Sequence, residues 1–131
     1  MLPPTPLAAR SYEPSARVHA SLTAISGGRL LLFGGRAGPA HPAVDMAVWM
    51  PAQEGNPQAP SWHVLCAANP AAAPCPRWKH AAAYMDDAIS STLFVFGGLT
   101  HRSFPAGGDA PAAACSATDA TLYSLDTELL R

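Results

Sequence analysis

"RLLLFGG", residues 29–35, and "TLFVFGG", residues 92–98, decide the fold. Each is a short apolar run that ends in two adjacent glycines, and the first glycines of the pairs stand 63 residues apart (97 minus 34). A short continuous apolar run bounded by turn residues reads as a strand covered on both faces. "SGG", residues 26–28, precedes the first run and supplies two residues free to take positive φ, as a hairpin turn requires. "DDAISS", residues 86–91, stands in the same place before the second.

Further strands follow outward from each pair. In the first unit they are "HASLTAI" (19–25), "RLLLF" (29–33), "DMAVWM" (45–50) and "WHVL" (62–65), with "GGRAGPAHPA" (34–43) as a loop. In the second they are "HAAAYM" (80–85), "TLFVF" (92–96) and "ATLYSL" (120–125), and no fourth strand follows. Residues 1–16 read as a Pro-rich lead-in without structure of its own. Residues 17–66 form the first unit, 67–76 a Pro/Ala linker and 77–131 the second, which contains a long loop at 99–118. Pro70, Pro74 and Pro76 leave the alanine-rich linker no room to propagate a helix. Elsewhere helical periodicity is weak, so the class is all-β.

The two units overlay. Arg17-Val18-His19-Ala20 matches Arg77-Trp78-Lys79-His80-Ala81, with one extra residue in the second. Gly34-Gly35 matches Gly97-Gly98. Asp45 ahead of Trp49 matches Asp119 ahead of Tyr123. Three matches in one order are a repeat. Four short antiparallel strands per unit, the second closed by a Gly-Gly pair, resemble the kelch repeat, whose family builds β-propellers from four-stranded blades. The resemblance implies two such blades, the second without its last strand. It makes Arg17, His19, Gly34, Gly35, Asp45, Trp49, Trp62, Arg77, His80, Gly97, Gly98, Asp119 and Tyr123 structural positions. It also explains the glycines: where a chain turns sharply between close backbones, residues without Cβ fit.

A narrower resemblance lies in Gly34-Gly35-Arg36 with Pro39, Pro42 and Asp45, and in Pro76-Arg77…His80 leading to Phe96–Leu99. These are similar to the kelch region of the tRNA wybutosine-synthesizing protein 4 family, which is leucine carboxyl methyltransferase-like. In that family a separate domain binds S-adenosylmethionine and performs the chemistry. This chain carries no strand with a Gly-rich cofactor loop, so the expectation is a non-catalytic segment without cofactor that binds a protein partner or further kelch blades. A generic kelch adaptor in ubiquitination, cytoskeleton or signalling, and a gene fragment without function, are the alternatives. Propellers close with about four to eight blades. Two blades leave outer faces open, so the chain is expected to be part of a larger assembly.

Composition narrows the classes. The 131 residues fit one domain; 49% are hydrophobic, 13% are charged and the net charge is −1. Near-neutrality offers no footprint for direct nucleic-acid binding. No apolar run approaches the ~18 residues of a membrane helix, and residues 1–17 lack the apolar core of a signal peptide. Cys66, Cys75 and Cys115 are odd in number and irregularly spaced, which argues against a disulfide framework and for a reducing, cytoplasmic setting.

Candidate chemistry is sparse. His63, Cys66, Cys75 and His80 are four residues of the two types that zinc most readily accepts, but His80 already fits the repeat. Cys66 and Cys75 read instead as a small core residue and a loop thiol, and Cys115 as an exposed thiol. His41 and His101 follow the glycine pairs on loops and read as solvated. Asp86 and Asp87 read as turn formers. In the long loop, Arg102 and Phe104 have the size and chemistry of partner-contact anchors.

Overall fold

The computed structural model describes residues 12–39, 41–55, 58–66, 72–87, 89–100 and 121–127. The described residues form antiparallel sheets and no α-helix. The strands are β1 (Val18–Ile25), β2 (Arg29–Gly38), β3 (His41–Pro42), β4 (Met46–Met50), β5 (Ser61–Leu65), β6 (Arg77–Trp78), β7 (Ala81–Asp86), β8 (Ser91–Phe96), β9 (Leu99–Thr100) and β10 (Leu122–Asp126). The first sheet has the order β1-β2-β4-β5, with β3 folded back on β2. The second has the order β10-β8-β7, and β6 pairs with β9 beside it. The closed ring of a propeller is not formed.

Local chemistry explains the hairpins. Gly27 and Gly28 take φ of 75° and 68° and turn β1 into β2. At the β7–β8 turn, Asp87 does the work that glycine does in the first. Its Oδ1 accepts from the backbone N–H of Ile89 and of Ser90, each at 2.8 Å. Those two bonds hold its carboxyl below the usual range. Asp86 Oδ1 accepts from Ser91 Oγ at 2.7 Å. Asp87 is thus a turn former as read, whereas Asp86 is the last residue of β7, paired with Ser91.

Each sheet has a strict two-residue alternation. In the first, Ile25, Leu31, Phe33 and Val48 point to one face; in the second, Leu93 and Val95 do. These six buried side chains form one core between the sheets, with Met46, Met50, Ala82, Tyr84, Tyr123 and Leu125 packed around it. Central strands β2 and β8 are therefore each covered on one face by the opposite sheet. At the far end of the second sheet, Thr127 is fully buried and donates from both its backbone N–H and its Oγ1 to Ser91 O, at 2.8 Å each.

Two expectations need correction. The first glycine pair does not end its strand: the β1–β2 ladder runs across it, from Ala20↔Gly34 to Val18↔Arg36. Residues 36–38 and 41–42 are strand rather than loop, because residues without Cβ let a ladder continue through positive φ. Likewise Leu99 and Thr100 begin the segment read as loop but pair with Arg77 and Trp78.

Candidate functional site: the seam and its two arginine clamps

Arg17 and Arg77 make the same contacts in their own units. Arg17 Nε donates to Ser15 O at 3.1 Å and Nη1 to Gly34 O at 3.2 Å. Arg77 Nε donates to Cys75 O at 3.1 Å and Nη1 to Gly97 O at 2.9 Å. Each arginine thus ties the backbone carbonyl two residues before it to that of the first glycine of its pair. Two residues after each arginine the backbone turns left-handed, at His19 (φ 58°) and Lys79 (φ 57°). Histidine is among the residue types enriched in this region, and lysine is not. Across the seam the two positions touch, where Lys79 N donates to His19 O at 3.1 Å.

The described partners of the two guanidinium groups then differ. Arg17 Nη2 reaches both oxygens of Asp45, at 2.9 and 3.1 Å. Burial pulls its guanidinium below its ordinary value, yet an arginine side chain keeps its charge. Arg77 is fully buried, and its guanidinium carbon sits 4.8 Å from the centre of the Tyr123 ring. Such a stack gains from the negative face of the ring. Beside it, Arg36 lies 5.2 Å over the Trp78 ring.

His80 lies between the sheets. Its Nε2 is 2.7 Å from Ser21 Oγ on β1. Its ring meets Phe33 edge-on at 5.0 Å between centroids. Burial, helped by the charge of Arg77, lowers its pKa from the ordinary value, so the neutral imidazole is favoured. Its Nδ1 is buried and unpartnered among the described residues. Tyr84 adds a further link, its hydroxyl accepting from Ser26 N at 3.2 Å.

This geometry shifts the internal match. The left-handed residues align His19 with Lys79, so His80 falls at the place of Ala20 and no residue is inserted there. The extra length lies in the second hairpin. His19 itself is exposed. On β10, Tyr123 opposes Val95 as Ala47 opposes Leu32, so Tyr123 takes the register of Ala47 and Leu125 that of Trp49. Trp49 and Trp62 face each other across β4 and β5, and Tyr12 bridges to Trp62.

Asp119, Arg102, Phe104, His101 and Cys115 lie outside the described residues. His63 is exposed and bonds Ser61 Oγ at 3.0 Å. Cys66 is a free, exposed thiol rather than a core residue. Cys75 is disulfide-bonded rather than a free loop thiol, so the cysteines no longer argue for a reducing compartment. His41, on β3, is exposed. Among the described residues, no three of His, Cys, Asp or Glu are gathered as metal donors, and no helix is long and apolar enough to cross a membrane. Sequence reasoning missed Ser21, Phe33 and Tyr84 as seam residues; only their place on strands flanking the glycine pairs pointed to them.

Compared with protein-family models, with curated proteins and with solved structures, the chain gives no match.

Proposed function

We propose that this chain is a non-catalytic scaffold, two blades of a kelch-type propeller that mediates protein interaction. One observation carries the reading. The arginine clamp, the left-handed residue and the glycine pair recur as a unit, and the two sheets pack on one shared core, which supports a blade reading. Among the described residues, the seam arginines are bonded to backbone carbonyls and to Asp45 or stacked on rings, and His80 is bonded to Ser21. That is the chemistry of a fixed joint rather than of a reaction.

The particular parent we propose is a protein of the wybutosine-synthesizing, tRNA methyltransferase-like kind. Support comes from Gly34-Gly35-Arg36 with Pro39, Pro42 and Asp45, and from Pro76-Arg77 with His80. S-adenosylmethionine and tRNA would be handled by another domain of that parent, with these blades positioning it. The test is to disrupt the reading frame in its own cells and to quantify wybutosine in phenylalanine tRNA by nucleoside mass spectrometry. Loss of the modified base, restored by the intact gene, is the expected result. An unchanged level overturns the tRNA assignment and leaves a general kelch adaptor.

A further inference from the structure

The two sheets use opposite faces for the one seam. Aligned on their glycine pairs, Leu31 and Phe33 of β2 correspond to Phe94 and Phe96 of β8. The first two build the core between the sheets, yet Phe94 and Phe96 point away from it. Conversely, Leu93 and Val95 face the core, while their counterparts Leu30 and Leu32 face outward. The contact is therefore heterologous: the front of one sheet rests on the back of the next. Among the described residues, such a contact leaves one front and one back without a second sheet; on the first sheet's outward face Leu22 is exposed, although Ala47 in its middle is buried.

The open faces have matching chemistry. On the second sheet, Phe96, Met85 and Leu122 are 49%, 57% and 60% exposed. Their counterparts in the first sheet are the core residues Phe33, Ile25 and Met46. On the first sheet, Leu22 is 57% exposed, and its counterpart Ala82 packs against the core. The polar pair that crosses the existing seam is also replaced in kind. His80 meets Ser21 there, whereas their counterparts on the open faces are Ala20 and Ala81. A hydrogen-bonded pair becomes an apolar pair, so bringing the open faces together buries no orphaned partner of either.

Gly97 gives the same answer. A Cβ on Gly34 would lie 2.4 Å from Arg77 O and 2.6 Å from His80 Cε1, both from the stacked unit. At Gly97 no described atom lies within 4 Å. An incoming first sheet would place Arg17 O there.

We propose that a second copy of this chain docks its first sheet on the open face of the second sheet, head to tail, and that copies add until a ring closes. This rests on the blade reading above. Blades numbering about four to eight close a propeller, so the ring holds about two to four copies of this two-blade chain.

Analytical ultracentrifugation of the full chain tests it, with Phe96→Asp, Leu22→Asp and, as a milder change on the Phe96 face, Met85→Lys. The expected mass is two to four times 13.6 kDa. Each variant should sediment as a monomer with an unchanged far-UV β-sheet spectrum. An equimolar mixture of Phe96→Asp and Leu22→Asp should recover a dimer, because each contributes the face the other has lost. A wild-type monomer with a sheet spectrum overturns self-association and leaves the blade reading standing. A dimer indifferent to Leu22→Asp overturns the head-to-tail geometry. A chain without a sheet spectrum overturns both.

Discussion

Gly34 and Gly97 hold the same place in the two sheets and nearly the same backbone, with φ of 68° and 71°. Their surroundings are opposite. Gly34 is buried and pressed against Arg77 and His80 of the next unit, whereas Gly97 has no described neighbour within 4 Å of its missing Cβ. The second glycines behave differently from the first. Gly35 is crowded by Ala20 Cβ at 2.8 Å and Val18 O at 3.0 Å, and Gly98 by His80 Cβ at 2.9 Å and Trp78 O at 2.7 Å. Those contacts come from each glycine's own unit and repeat position for position. The second glycine of each pair therefore serves its own sheet, and of the two first glycines Gly34 alone meets a stacked unit among the described residues.

The comparison breaks most readily at the first glycines. Gly34→Ala combines left-handed strain with a clash against a backbone carbonyl, and about 4 kcal/mol of lost stability is expected. In the Leu22→Asp background, which keeps copies apart, Gly97→Ala carries the strain alone, about 1–2 kcal/mol. Urea titrations of the two variants measure the difference. Equal losses would mean that the seam does not discriminate between them.

The clamps provide the next contrast. Arg17 has a side chain only 4% exposed and leans on Asp45. Asp45→Ala leaves a nearly buried guanidinium without that carboxylate, which costs about 3 kcal/mol. Arg77 leans on the Tyr123 ring. Replacing that ring in Tyr123→Leu is expected to cost about 2 kcal/mol. Thermal melts of both variants rank them, and the reverse order would show that the stack, not the ion pair, is the stronger anchor.

Much of this was legible in the sequence, and the misses have definite causes. The glycine pairs, the Ser26–Gly28 turn and the aspartate turn announced themselves, because positive φ and side-chain-to-backbone bonds select few residue types. The match between units went astray at His80, because two histidines look alike while backbone conformation sets the frame. Lysine at a left-handed position carries no warning in its identity. Tyr123 was matched to Trp49 by size, but strand register follows hydrogen bonding, and the register sets it opposite Val95. The strand through Gly34 and Gly35 was hidden because glycine ordinarily weakens a strand. Opposite-face stacking was beyond reach, since alternation reveals two faces and not which one a neighbour takes.

The smallest effect expected concerns His80 and tests whether the seam holds it neutral. Its pKa in the folded chain lies below the ordinary value of 6.5, through burial first and the charge of Arg77 second. The unfolded chain therefore binds a proton more readily, so stability rises with pH over that window. This contribution is present in full above about pH 6.5. It is lost as pH falls toward the lower folded-state value, below which it changes no further. Urea midpoints between pH 7.5 and 5 should decline, and the decline should flatten in His80→Gln. Ser21→Ala removes the 2.7 Å partner of Nε2 at a cost of about 1 kcal/mol at neutral pH. In the Leu22→Asp background, which keeps copies apart, its Gly97-side counterpart, Ala81→Ser, should leave the midpoint nearly unchanged, because Ala81 is exposed in the single chain. A midpoint that does not vary with pH would place a charged, solvated imidazole at the seam and remove His80 from the joint.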